Sequence, residues 1–288
     1  MMRGGPLDVD RLREALRPPP GETAACIGTR LEHHTSLLST NDHARVLAAG
    51  GAPEGTVVLA EEQTRGRGRG DRTWHSPAGL GLYLTAILRP PSPAAEAPLF
   101  GLLAAVAAAE ALGRLAPAPV ALHWPNDVML QATKSGSGWR KVAGILTEAR
   151  TSADSIRDLV IGIGVNVNQE GQDFPSSIAA RATSLRLALG RFLDRTEVAA
   201  EILKALGSWY TLCLREGTGP VLGAYRGVAL DLEGRRVRVA GSPEPWTGTT
   251  AGITQDGALR VIPDVGRPGT GGEAVAIRYG ELLSVEGA

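Results

Sequence analysis

The sequence predicts an α+β protein in which one large unit of interspersed helices and strands is followed by a small β-barrel. Three observations carry this reading. Two long helical stretches, 98–116 and 197–216, alternate with β-rich runs at 56–62, 82–88, 141–149 and 158–168. Short strands with no helical periodicity then crowd the end of the chain, five of them in about 60 residues. The 288 residues, 43% of them hydrophobic, suffice for one large core, or one large and one small. The expected division is a leader at 1–22, a main domain at 23–225 and a barrel at 226–288.

The leader holds a short amphipathic piece (Leu7, Leu12, Leu16) closed by Pro18, Pro19 and Pro20. A helix-turn-helix module needs about three packed helices, so an N-terminal DNA-binding domain is not expected. The sequence STND at 39–42 offers cap residues ahead of HARVLAA, predicting a helix N-terminus with free backbone N–H groups at Ser39 to Asp42. TVVLAEE and LYLTAIL read as strands that bracket QTRGRGRGDRTWHSPAGLG at 63–81. PLFGLLAAVAAAEALGRLA starts at a proline, and its small side chains suit close packing. HWPNDVML at 123–130 and KVAGILTEA at 141–149 read as a hairpin with a long Gly/Ser tip. DLVIGIGVNVN reads as a buried strand interrupted by Gly162 and Gly164, and such glycines mark a bulge or a close approach. EVAAEILKALGSWYTLCLRE has apolar residues at three- and four-residue steps. After Tyr225 come RRVRVAG, TGTTAGIT, GALRVI, EAVAIRY and ELLSV, with QDG at 255–257 as a turn.

The totals exclude several classes. Thirty Lys plus Arg balance thirty Asp plus Glu, which argues against a general nucleic-acid coat. Cys26 and Cys213 lie far apart with no metal-ligand or CxxC spacing, so neither a disulfide framework nor a structural zinc site is expected. The N-terminus lacks a signal-peptide pattern, and no apolar run approaches 18 residues without a break; a soluble, cytoplasmic protein is expected.

Within a neutral chain, Arg65, Arg67, Arg69 and Arg72 sit on an unusually flexible backbone. Glycines let such a loop approach a ligand, and guanidinium forks match carboxylate and phosphate oxygens. A solvated loop, or an RGG-like segment binding nucleic acid without sequence preference, are the alternatives. Trp74 is either a core residue or a cover for a ring-bearing ligand. In WPND, Pro125 holds Trp124 extended, and Asn126 and Asp127 offer an amide and a carboxylate where a strand begins, unless the segment is merely a turn. Lys141 opens KVAGIL, with Gly144 leaving room for a ligand along the strand, although most such lysines are solvated. Asn166 and Asn168 are odd inside an apolar run: buried amides need partners, and a base edge would supply them.

In order, Ser39-Thr40-Asn41, Gln63 with GRGRGDRTW at 66–74, HWPND at 123–127, KVAGIL at 141–146 and GIGVNV at 162–167 resemble the biotin protein ligases. The resemblance spans 39–168. It implies a class II aminoacyl-tRNA synthetase-like catalytic domain with a mixed sheet, then an SH3-like barrel. It also implies ATP-dependent ligation of biotin to one lysine of a biotin carboxyl carrier protein domain of a biotin-dependent carboxylase, through biotinyl-5′-AMP. Lys141 would bridge the biotin carboxylate and the α-phosphate. Arg67 and Arg69 would hold the reacting anions, and Arg72 would reach the polyphosphate. The biotin pocket maps onto Ser39, Thr40, Asn41 and Gln63, with backbone from Gly66, Arg67 and Gly144. Trp74 would belong to a lid, Asn126 and Asn166 would face the adenine, and Mg2+ would enter with ATP. Neither nucleic acid nor membrane is expected as a partner, and the protein is expected to be a monomer or homodimer.

Four features depart from the family pattern. His123 stands in place of the usual lysine, and Asp71 in place of a glycine; Asp71 is expected to pair with a neighbouring arginine when the site is empty. Lys141 follows Asp127 by 14 positions (141 − 127), a long gap that contains Lys134; the VAGIL context favours Lys141. Glu286 occupies about the place of a C-terminal basic residue, for which Arg278 is a weak substitute. The rivals are a lipoate-protein ligase or octanoyltransferase on the same fold, a biotin-responsive repressor, and an RNA-binding protein. They lack, in turn, a reason for the Gly-Arg repeat, a cysteine in a ligand motif, a DNA-binding segment in the leader, and broad basicity.

Overall fold

The computed structural model describes residues 5–18, 27–116, 118–131, 138–240, 245–264, 273–278 and 281–284. Cys26, Lys134 and Glu286 lie outside them. The helices are α1 (Val9–Ala15), α2 (Thr40–Ala49), α3 (Ala97–Leu115), α4 (Ser176–Ala179), α5 (Leu185–Leu189), α6 (Arg195–Glu216) and α7 (Gly219–Val228). The main sheet comprises β1 (Arg30–His34), β2 (Thr56–Ala60), β3 (Gly81–Leu88), β4 (Val120–His123), β5 (Asp127–Gln131), β6 (Trp139–Ser152) and β7 (Ser155–Asn166), in the order β1-β2-β3-β7-β6-β5-β4. The β1/β2 pair is parallel and every other pair antiparallel, so the sheet is mixed.

A second, antiparallel sheet holds β8 (Glu233–Ala240), β9 (Trp246–Ile253), β10 (Leu259–Pro263), β11 (Val275–Ile277) and β12 (Glu281–Ser284), in the order β11-β10-β9-β8-β12. These are the five strands expected from the sequence, in an arrangement consistent with an SH3-like barrel. The change to strand texture comes slightly later than expected, since α7 carries the buried Tyr225 and runs on to Val228.

The main sheet is covered on both faces. One face packs under α3, whose alanine and leucine side chains are nearly all buried. Its helical stretch from Ala94 to Leu115 is long and apolar enough to cross a membrane by composition, and here it is a core helix packed on β6 and α6. Along β6, Ala143 and Ile145 are buried, and Thr147 meets α3 at Gly101. The opposite face carries α2 over a smaller core of Ala44, Ala48, Val58, Ile87 and Val160. The period of two along β6 therefore leaves Gly144, Leu146 and Glu148 on the α2 side.

The leader is tied into this body. Leu7 and Leu12 are buried, and full burial of one leucine contributes about 1.5–3 kcal/mol. The Leu7 N–H donates to Glu61 Oε1 at 2.8 Å and the Asp8 N–H to Thr196 Oγ1 at 3.0 Å. Arg195, 3% exposed, closes the arrangement by donating to Glu61 Oε2 (2.6 Å), the Gly5 carbonyl (2.6 Å) and the Gly81 carbonyl (3.0 Å).

HWPNDVML is not one strand, as expected from its sequence, but two. The chain turns at Trp124-Pro125-Asn126, where the Trp124–Pro125 peptide bond is cis, and β5 pairs back on β4. Proline cannot donate to a ladder, which is why the strand divides there. Trp124 is buried and its indole N–H donates to the Gly257 carbonyl of the second sheet at 3.0 Å.

Candidate active site

The α2 side of the sheet gathers the motif residues on one surface. Ser39 caps α2, and Ser39, Thr40 and Asn41 are all 3–4% exposed. The backbone N–H groups there are less free than the capping pattern suggested. Gln63 Oε1 accepts from both the Thr40 N–H (2.8 Å) and its hydroxyl (3.0 Å), while Gln63 Nε2 donates to Ser76 Oγ at 2.9 Å. Thr85, buried in β3, has its hydroxyl oxygen 2.8 Å from both Thr40 Oγ1 and Asn41 Oδ1, and its single proton serves one of them at a time. Asn41 Nδ2 donates to the Leu146 carbonyl (3.1 Å) and Glu148 Oε2 (3.0 Å). A buried polar network holds its geometry when each member is satisfied, so these side chains are positioned against one another before any ligand arrives.

The glycines of GIG explain how this network fits on a strand. A Cβ on Gly162 would lie 2.0 Å from Asn41 Oδ1, and one on Gly164 would lie 2.5 Å from Trp74 Nε1. Gly144 opposes Gly164 across the β6/β7 ladder, and its Cβ would come within 3.0 Å of the Trp74 ring. The three glycines thus bare a flat strip of backbone on which Asn41 and Trp74 rest.

The arginine-glycine segment is a small hairpin. Trp74 N–H donates to the Gly66 carbonyl and Gly68 N–H to the Arg72 carbonyl, both at 2.8 Å. Gly70 takes a positive φ of 60° at its tip, a conformation glycine adopts without steric cost, and Asp71 beside it is exposed. Arg65 and Arg72 are exposed and Arg69 half-buried. Arg67 reaches back to α2 and β6, donating to Asp42 Oδ1 at 2.6 Å and to the two oxygens of Glu148 at 2.9 and 3.1 Å. Burial opposes the Arg67 charge, but the hydrogen bonds and charges of Glu148 and Asp42 outweigh it and raise its pKa.

Lys141 lies at the bulge where β5 and β6 shift register. Its backbone is clamped from the other side: its N–H donates to the Arg181 carbonyl (2.8 Å), and its carbonyl accepts from the Thr183 N–H (2.9 Å). The ammonium sits 2.6 Å from Asp127 Oδ1 and 5.3 Å from the centre of the Trp74 ring, about a third exposed. A lysine held between a carboxylate and an aromatic face is a localised cation, not a freely waving one.

The asparagines find partners within the chain rather than requiring a base edge. Asn168 exchanges hydrogen bonds with the Leu193 backbone at 2.9 and 3.0 Å. Asn166 Nδ2 donates to the Thr183 carbonyl (3.0 Å), and Asn126 Nδ2 to the Ile145 carbonyl (2.8 Å). His123 Nδ1 meets Asp231 Oδ2 at 2.5 Å, and that hydrogen bond and charge raise the imidazole pKa against the effect of burial. Arg278 pairs with Asp256 at the turn of the second sheet, through contacts of 2.6 and 3.0 Å.

Sequence reasoning did not single out Thr85, Glu148 or Ser76. Glu148 was accessible in principle, since counting by twos from Gly144 puts it on the same face. Thr85 had no such signal, because a threonine in LYLTAIL is an ordinary strand former.

A mixed sheet followed by a small antiparallel sheet, with these motifs along it, is shared with a class of protein-modifying ligases. The Biotin/lipoate A/B protein ligase family model matches residues 36–166. The bifunctional ligase/repressor BirA of Bacillus subtilis is 37% identical over 233 residues, 81% of this chain and 69% of the relative. The biotin--[acetyl-CoA-carboxylase] ligase of Mycobacterium tuberculosis is 32% identical over 290 residues, covering 94% of this chain and 98% of the relative. A solved biotin protein ligase from Aquifex aeolicus, in complex with biotin and ATP, superposes with a TM-score of 0.70 at 29% identity, over 88% of this chain and 98% of that one. The chain belongs to the biotin/lipoate A/B protein ligase family.

Proposed function

We propose that this protein joins biotin to a lysine of a biotin carboxyl carrier protein, in two steps through biotinyl-5′-AMP. The observation that carries it is the position of Lys141, held by Asp127 and Trp74 beside the strip that Gly144 and Gly164 leave bare.

In the first step a biotin carboxylate oxygen attacks the α-phosphorus of ATP, the anhydride C–O–P bond forms, and pyrophosphate leaves. Two anions must meet, so a fixed cation between them stabilises the charge that builds in the transition state. Lys141 serves there. Arg67 and Arg69 hold the reacting oxygens, and Arg72 reaches the polyphosphate. Mg2+ arrives with the nucleotide. Ser39, Thr40, Asn41 and Gln63 take the ureido ring, whose one carbonyl and two N–H groups suit a cradle of hydroxyls and amides. The backbone of Gly66, Arg67 and Gly144 lies along the rest of the biotin, and Asn126 and Asn166 line the adenine side. Trp74 with its hairpin covers the anhydride against water.

In the second step a neutral lysine ε-amine of the carrier attacks the acyl carbon. The amide bond forms, the acyl C–O bond breaks, AMP leaves and the amine proton passes to solvent. The unit that ends with α7 at Val228 carries this chemistry, and the barrel that starts with β8 at Glu233 follows it. The setting is the cytoplasm, the working unit a monomer or homodimer, and neither nucleic acid nor membrane is a partner.

The test is pyrophosphate release from ATP with biotin or lipoate as the acid. Release with biotin, falling by about 10²-fold or more in Lys141→Ala, is expected from the loss of one transition-state contact. Release with lipoate alone overturns the substrate. Normal release in Lys141→Ala beside a dead Lys134→Ala overturns the choice of lysine.

A further inference from the structure

Beside the ligand cradle, β1 and the first turns of α2 bring Glu32, His34 and His43 together. Each offers a ligand atom, and these atoms lie within 4.8 Å of one another. His43 Nε2 is 3.5 Å from Glu32 Oε2, and the His34 and His43 rings stand edge to face with centroids 4.6 Å apart. His34 Nε2 is buried and has no hydrogen-bond partner. Such a nitrogen costs free energy unless something fills the place, so the local chemistry lacks one partner. Glu32 can spare an oxygen, since Arg30 engages Oε1 at 2.5 Å and leaves Oε2 to the cluster. His33, next along the strand, turns instead to Glu61 at 2.7 Å.

We propose that Glu32, His34 and His43 bind one zinc-type divalent transition-metal ion that joins β1 to the first turns of α2. Two imidazoles and a carboxylate are a zinc ligand set, with a fourth position left to water. Imidazole nitrogens favour zinc, cobalt, nickel or copper over magnesium and calcium, which take oxygen. Bonds of about 2.0–2.1 Å in a tetrahedron put neighbouring ligand atoms about 3.4 Å apart, so the His43/Glu32 pair already has that spacing. His34 offers its nitrogen within 4.8 Å of the other two ligand atoms, and a change of its side-chain rotamer brings it to the same spacing. The ligands come from two elements whose relative position is otherwise set by packing, and the first turn of α2 that holds His43 also holds Thr40 and Asn41, with Ser39 as its cap. The ion is therefore a brace beside the cradle and not part of the reaction.

The experiment uses the full chain in a Cys26→Ser background, stripped with chelator and titrated with Zn2+ against a chromophoric chelator and with Co2+ by visible absorption. The expected result is one ion per chain, with d–d bands of four-coordinate Co2+ and a melting temperature that rises until one equivalent of Zn2+ is reached. His34→Gln and His43→Gln each weaken Zn2+ binding by more than about tenfold, while His33→Gln leaves it unchanged. Melting and circular dichroism without metal establish that each variant is folded. Equal Zn2+ affinity in wild type and the folded His34→Gln, His43→Gln double variant overturns the site. Absence of the Co2+ bands in the wild-type chain overturns it without any variant.

Discussion

Arg67 grips Glu148 with both terminal guanidinium nitrogens, at 2.9 and 3.1 Å, and the same Glu148 carboxylate accepts from Asn41 at 3.0 Å. One carboxylate on β6 thus orients an arginine of the hairpin and an asparagine of α2. To hold substrate anions, Arg67 must share or exchange these carboxylates. Arg67→Lys keeps the charge but loses the planar fork, and with it the two-nitrogen grip on the Glu148 carboxylate. Pyrophosphate release is expected to fall by about 10²-fold. Because the side chain is 36% exposed, the melting temperature should barely move.

Asp127 positions Lys141. Asp127→Asn removes the charge that localises the ammonium while keeping the side-chain shape, so steady-state kcat should fall by about tenfold or more with little change in fold. An unchanged kcat would show that Trp74 and the bulge hold the lysine unaided.

The glycine strip tolerates no side chain. Gly162→Ala drives a methyl to within 2.0 Å of Asn41 Oδ1, and overpacking of this kind costs about 1–3 kcal/mol. Biotin affinity should fall along with stability, because Asn41 is what moves. Gly223→Ala provides the contrast: it lies in α7 with nothing within 4 Å of its Cβ, and should gain about 0.5–1 kcal/mol. Chemical denaturation and biotin titration of both variants check this.

The Glu61–Arg195 pair ties the leader to the core, and both side chains are 3% exposed. Burial disfavours the Glu61 carboxylate, yet the Leu7 N–H and Arg195 hold its pKa below the ordinary value. Arg195→Met removes the guanidinium from Oε2 and leaves the buried carboxylate only the Leu7 N–H and His33 at Oε1, and breaking such a buried pair costs about 3–5 kcal/mol. The melting temperature should drop by roughly 10 °C, and limited proteolysis should cut sooner near residues 5–16. A melting curve within a degree of wild type would refute the tie.

His123 and Asp231 link the strand before Trp124 to the approach of the second sheet. The folded-state pKa of His123 is raised, so its contribution is complete below the ordinary imidazole value of 6.5 and is lost as pH rises through the folded value. The stability difference between wild type and His123→Gln should therefore be largest below pH 6.5 and shrink as the pH rises above it. His123→Lys, which keeps its charge throughout, should show no such decline. Parallel denaturation series at several pH values decide it.

Much of the fold was legible because it is encoded locally. The apolar period of α6, the proline start and small residues of α3, and the five short strands of the second sheet all stand in the chain within a few residues of where they act. Elements with weak local signals were not: β1, with the sequence RLEHH, has little β-branched or alternating character and exists because it pairs in parallel with β2. The division of HWPNDVML depended on a turn that closes only when β4 and β5 pair.

The motifs supplied the candidate residues, since spacing within each short stretch survives in sequence. What only the tertiary structure decided is who touches whom. Asn41 meets Gly162 across 121 positions (162 − 41), and Arg67 meets Glu148 across 81. These pairings depend on strand order and register, in which a shift of one residue sends every side chain to the other face. The same register supplied Asn166 and Asn168 with backbone partners that their sequence had suggested a ligand would provide. The spacing of the motifs thus carried the resemblance to the biotin protein ligases, and that resemblance implied the kind of chemistry, a cationic site for joining anions. Packing decided how each charge is held until those anions arrive, because the balance of burial and pairing exists only after distant segments meet.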